Sequence, residues 1–92
     1  MLKIYSKNNC SFCVQAKRLL EARGYVENID FEMIKIDEDM SAREFVLSQG
    51  HKTVPQLYLN NQLFVEGGFQ GLSKMSQDEL DQRLKQNVVI AE

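Results

Sequence analysis

Cysteine is scarce in this chain: Cys10 and Cys13 are the only two among 92 residues. A small secreted domain held by disulfides needs four or more spread along the sequence, so that class is excluded. Histidine occurs once, at His51, with no ligand pattern around it. A structural zinc site needs a second pair of ligands at suitable spacing, so no metal is expected. Neither sign of charge is in large excess: 11 Lys and Arg against 13 Asp and Glu give a formal net charge of −2, without the basic face that a nucleic-acid partner requires. No apolar run approaches the ~18 residues of a membrane span. Met1-Leu2-Lys3 passes straight into a strand-like segment with no signal-peptide architecture. Repeats, linkers and low-complexity stretches are missing as well. The expectation is one small cytoplasmic domain with an ordinary apolar content of 43%.

What is present is organised around Leu2 to Gly24. An apolar, β-leaning segment, Leu2-Lys3-Ile4-Tyr5-Ser6, feeds the polar turn Lys7-Asn8-Asn9, and Cys10-Ser11-Phe12-Cys13 then opens a helix-favouring run to Arg23. Ala16, Leu19 and Leu20 follow helical spacing, and Gly24 is placed to end the helix in the left-handed conformation. The two thiols therefore meet the orphan N–H groups and positive dipole end of a helix, which favour thiolate over thiol. Cys10, with Lys7 close by, is the candidate nucleophile with a lowered pKa. Cys13, one turn further in and sheltered, is the candidate resolving thiol.

The rest of the chain reads as support. Phe31 to Asp37 is predicted as a second strand, making a βαβ unit with a parallel pair and right-handed crossover. Ser41 and Glu44 match a capping box before a helix that buries Ala42, Phe45 and Val46 and stops at Gly50. Gln56 to Leu59 and Gln62 to Glu66 flank Asn60-Asn61 as an antiparallel hairpin. A short helix over Phe69 to Met75 follows Gly67-Gly68, and a second capping box, Ser76 with Glu79, opens a last helix to Gln86 with Leu80 and Leu84 inward. The order β-α-β-α-β-β-α-α makes a four-stranded mixed sheet flanked by helices, an α/β arrangement of the thioredoxin-like kind. Residues 1–86 form the domain, and residues 87–92 are a tail without assignment.

With Cys10-Ser11-Phe12-Cys13, Thr53-Val54-Pro55 and Gly67-Gly68 in this order, and Lys7 three residues before the first cysteine, the chain resembles a dithiol glutaredoxin. A thioredoxin is expected to carry Trp-Cys-Gly-Pro-Cys, and this chain has no tryptophan. The usual glutaredoxin motif is Cys-Pro-Tyr-Cys, so Ser11 and Phe12 depart from it, although an aromatic before the second cysteine is kept. The resemblance implies a monomeric enzyme that reduces protein disulfides or glutathione mixed disulfides. Glutathione serves as reductant without being tightly bound, and a ribonucleotide reductase is one acceptor. It implies a cis bond before Pro55, with the backbone of Thr53 and Val54 holding an extended substrate beside the sulfurs. Gly67, Gly68, Phe69 and Gln70 take the γ-glutamyl carboxylate of glutathione, Lys7 and Lys52 its glycine carboxylate, and Phe12 walls the bound thiol.

Two departures open other readings. Relatives with Ser or Gly in place of the motif proline assemble a [2Fe–2S] cluster between two chains, although the retained Cys13 favours dithiol exchange. The family commonly places acidic residues after the glycine pair, where this chain has Phe69-Gln70-Gly71. Reduction by thioredoxin reductase instead of glutathione is therefore a third reading.

Overall fold

The computed structural model describes residues 1–85; residue 86 and the tail at 87–92 lie outside the described residues. The elements are β1 (Leu2–Ser6), α1 (Ser11–Ala22), β2 (Phe31–Lys35), α2 (Met40–Ser48), β3 (Gln56–Leu59), β4 (Gln62–Leu63), α3 (Gly68–Ser73) and α4 (Gln77–Lys85). They form one four-stranded sheet in the order β2-β1-β3-β4. β1 pairs parallel with β2, Leu2 opposite Phe31, and antiparallel with β3, Tyr5 opposite Gln56. β3 and β4 are antiparallel neighbours joined at Asn60-Asn61, both of which have positive φ (54° and 65°), as a two-residue turn between twisted strands demands.

Side chains alternate across the strands, so each central strand supplies both faces of the sheet. Leu2, Ile4 and Leu57 point to one face and join Ala16, Leu20, Phe31, Leu72 and Leu80 in the main core. Burying each of the Leu, Ile and Phe side chains among them contributes about 1.5–3 kcal/mol, which fixes α1, α3 and α4 on that side. Tyr5 and Tyr58, one residue out of phase, pack with Ala42 and Val46 of α2 on the opposite face. Both faces are covered, and the end of β1 is delivered to the start of α1.

Helix boundaries follow local chemistry. The Ser76–Glu79 capping box forms as predicted: Ser76 N–H donates to Glu79 Oε1 at 2.9 Å and Glu79 N–H to Ser76 Oγ at 3.1 Å. The Ser41–Glu44 box does not form. Asp39 caps α2 instead, accepting from Ala42 N–H at 3.1 Å and from Ser41 Oγ at 2.8 Å. A carboxylate at the positive end of the helix replaces the hydroxyl there, and these hydrogen bonds hold the Asp39 carboxyl below its ordinary pKa. Two strands are shorter than the sequence suggests. β2 ends at Lys35 because β1 ends at Ser6, with Ile36 N–H still donating to Ser6 O at 2.8 Å. β4 ends at Leu63, before the Gly67-Gly68 turn.

Candidate active site

Cys10 is the N-cap of α1, in extended backbone, and its sulfur accepts from Cys13 N–H at 3.2 Å. The two cysteines form a disulfide with Cα atoms 5.3 Å apart. Their settings differ: Cys10 is partly exposed, whereas Cys13 is 2% exposed on the buried face of the helix. The turn before them is tied down from the other end of β2. Asn8 N–H donates to Asp37 Oδ2 at 3.0 Å, and the Asn8 side-chain amide donates to Glu38 Oε2 at 2.8 Å. Asn9 then takes φ 60° and turns the chain into the N-cap.

Facing the disulfide is the turn that enters β3. The Val54–Pro55 bond is cis, and the β1–β3 ladder stops at Gln56, leaving Val54 outside it. Val54 O lies 3.9 Å from Cys10 Sγ. Gln56, which the motif reading passed over, is buried and holds this turn: its amide donates to Thr53 O at 3.1 Å and to Thr53 Oγ1 at 3.3 Å. A polar residue directly after the proline, where a strand needs an inward side chain, was the available signal.

From that turn a groove of about 540 Å³ runs to the start of α3. It brings together Phe12, Thr53, Val54, Pro55, Gly67, Gly68, Phe69 and Gln70, eight of the predicted binding residues, and adds His51, Gln56, Leu63 and Glu66. The Phe12 and Phe69 rings stack across one end, centroids 6.0 Å apart and planes inclined by 21°. Gly68 sits against Pro55, where a Cβ would come within 2.7 Å of the Pro55 carbonyl oxygen, and has φ +58°. Lys7 and Lys52 do not line this groove. They line a neighbouring hollow of about 270 Å³ that shares Thr53 and His51 with it, because the Lys7 turn and the α2–β3 loop meet on the other side of the Thr53 corner. Among the described residues no group of three or more His, Cys, Asp or Glu side chains is disposed to hold a metal ion, and no helix is long and apolar enough to cross a membrane.

A paired-cysteine helix cap facing a cis-proline turn, on a four-stranded mixed sheet, defines a redox protein of the thioredoxin fold. The family model described as Glutaredoxin matches residues 2–64, and the chain belongs to the glutaredoxin family. Glutaredoxin 3 of Escherichia coli K12 is 34% identical over 62 residues, covering 66% of this chain and 70% of that protein. The Synechocystis protein named "Probable glutaredoxin slr1562" is 38% identical over 63 residues, but the match spans only 54% of its length and 66% of this chain. Among solved structures, the glutaredoxin-like NrdH-redoxin from Escherichia coli superposes with a TM-score of 0.62 at 27% identity, covering 98% of this chain and 97% of that one. The family match holds Cys10, Cys13 and Pro55 and stops short of Gly67-Gly68.

Proposed function

We propose that the chain is a monomeric, glutathione-dependent thiol–disulfide oxidoreductase that reduces protein disulfides and glutathione mixed disulfides through Cys10 and Cys13. The observation that carries this reading is the groove leading from the Val54–Pro55 turn to Gly67-Gly68. Cys10 attacks the substrate sulfur while the unladdered backbone at Thr53 and Val54 holds the substrate as an added strand. Cys13, behind it, then attacks the mixed disulfide and frees the reduced product. The buried second thiol supports this exchange over cluster carriage. Phe69 and Gln70 take the γ-glutamyl carboxylate through their backbone, Phe12 walls the thiol, and Glu66, the carboxylate on the groove beside the glycines, meets the amino group. Lys7 and Lys52 receive the glycine carboxylate, and a ribonucleotide reductase is one acceptor.

One observation favours a second reading. The residues after Gly68 are Phe69-Gln70-Gly71, and the Phe12–Phe69 stack gives that end of the groove an apolar surface. The Escherichia coli NrdH-redoxin is described as having a thioredoxin-like activity profile, and by the same logic thioredoxin reductase becomes the electron donor here. A coupled NADPH assay on a glutathione mixed disulfide separates the two. It is run once with glutathione plus glutathione reductase and once with thioredoxin reductase alone. Turnover in the first alone supports the glutathione reading, and turnover in the second alone replaces the donor.

A further inference from the structure

The hollow beside the groove carries more positive charge than one carboxylate needs. Its rim holds Lys7, Arg43 and Lys52, with His51 at the boundary it shares with the groove. Ile36, Val46 and Leu47 line the rest as apolar wall. The one acid on it, Asp37, accepts from the Asn8 backbone N–H at 3.0 Å. Among the described residues, none of the three rim cations has an anionic partner within ion-pair distance. This local excess stands against a formal net charge of −2 for the chain. The position matters as much as the sign. Thr53 borders both the groove and the hollow, and Lys7 also borders the space that reaches Cys10 and Cys13. Thr53, the neighbour of Val54, belongs to both groove and hollow, so a polypeptide held along Val54 with its sulfur at Cys10 would have the hollow beside it.

We propose that this hollow selects acidic polypeptide substrates: an extended segment whose reactive disulfide is flanked by Asp or Glu, with those carboxylates seated against Lys7, Arg43 and Lys52. The proposal rests on the oxidoreductase reading above. In the reaction the Cys10 thiolate bonds to one peptide sulfur and the other leaves as a thiolate. Cys13, losing its proton to solvent, bonds to the Cys10 sulfur and expels the second peptide thiolate. Two electrons pass from the protein dithiol to the peptide disulfide, and the peptide thiolates take up protons. Exposed charges of this kind act mainly on encounter rate and choice of partner, and salt screens them.

The test mixes fully reduced protein with synthetic peptide disulfides that differ only in flanking residues, Asp and Glu, Asn and Gln, or Lys, and follows a single turnover. At low ionic strength the acidic peptide is expected to react about tenfold faster than the neutral one, an advantage largely lost at 0.5 M salt, about the ionic strength where screening is nearly complete. Arg43→Glu is expected to remove most of the advantage while the neutral peptide keeps its rate, which also reports that the variant is folded. Arg43→Gln gives an intermediate loss. Equal rates for acidic and neutral peptides overturn the proposal and leave the oxidoreductase reading intact, as does an advantage that survives Arg43→Glu. Failure to reduce any of the three overturns that reading and the proposal with it.

Discussion

The Cys13 backbone N–H donates to Cys10 Sγ at 3.2 Å. The donation runs toward Cys10, the partly exposed sulfur at the helix cap, while Cys13 faces the core. In the reduced protein the same N–H stabilises a thiolate on Cys10, so Cys10 is expected to titrate below ordinary cysteine and ahead of Cys13. Cys10→Ser is expected to abolish exchange on every substrate. Cys13→Ser is expected to keep reduction of glutathione mixed disulfides while losing that of protein disulfides. Thiolate absorbance against pH and the two assays check this; exchange retained by Cys10→Ser would remove it as nucleophile.

Asn8 ties the turn before Cys10 to the β2–α2 connection through Asp37 and Glu38. Asn8→Ala removes only the side-chain bond to Glu38. At an exposed site that costs under about 1 kcal/mol of stability, yet it loosens the backbone that presents the nucleophile. The expected result is a severalfold slower alkylation of Cys10 by iodoacetamide at neutral pH, with a nearly unchanged melting temperature. Asn8→Asp, which sets a second carboxylate against Glu38, is expected to be slower still. Wild-type alkylation rates in both variants would show that the turn does not depend on this tie.

How much of this was legible beforehand follows from the range of each interaction. β1 and α1 were readable to within a residue or so, because alternation, helical spacing and the Gly24 stop are local. The Ser76–Glu79 box was readable for the same reason, whereas at α2 the reading of Ser41 as the cap missed Asp39, two residues earlier, whose carboxylate takes the helix N–H. Cys10, Cys13 and Pro55 were visible through a motif. Gln56 was signalled only by its polarity at an inward strand position, and His51 and Glu66 not at all, since their place on the groove depends on how the β3 turn meets α3. The division of Lys7 and Lys52 from the groove likewise depends on which side of Thr53 two distant loops meet. Arg83, which donates to Phe64 O at 2.6 Å and lies 4.2 Å from the Phe64 ring centroid, bridges α4 to the β4 end over a separation no local pattern reports.

Gly71 lies inside α3, and a Cβ there would overlap the Glu66 carbonyl oxygen and approach Val65 Cγ2 to 2.9 Å. Backbone has nowhere to retreat in so short a helix. Gly71→Ala is expected to cost about 1–3 kcal/mol, the usual range for overpacking. At roughly 4–8 °C per kcal/mol for a domain of this size, a thermal melt resolves it. Gly68→Ala acts at the site itself, pressing on the Pro55 carbonyl and demanding a positive φ of a side-chain-bearing residue. It is expected to raise KM for glutathione mixed disulfides more than Gly71→Ala does. A Gly71→Ala protein that melts like wild type would mean that α3 and the Glu66 turn shift apart freely.

Tyr25 is 4% exposed, and its hydroxyl donates to the Asp81 carboxylate, fastening the end of α1 to α4. Gln77 adds to the same junction, donating to Arg23 O at 3.1 Å and to Asp81 Oδ1 at 3.2 Å. Burial, then the hydrogen bond and charge of Asp81, push the Tyr25 phenol well above its ordinary pKa. Unfolded tyrosine ionises near pH 10. Above that pH the unfolded chain loses a proton that the native state keeps, so stability falls as pH rises toward the native pKa and is fully present below about pH 10. Tyr5 and Tyr58 are raised as well, chiefly by burial, and add to the same alkaline loss. Tyr25→Phe is expected to cost about 1–2 kcal/mol at neutral pH, as the Asp81 carboxylate loses a donor. It is also expected to flatten the decline between pH 10 and 11. Urea midpoints of the oxidised protein at pH 7, 9, 10 and 11 measure both effects. An alkaline decline as steep in the variant as in wild type would assign it to the other two tyrosines.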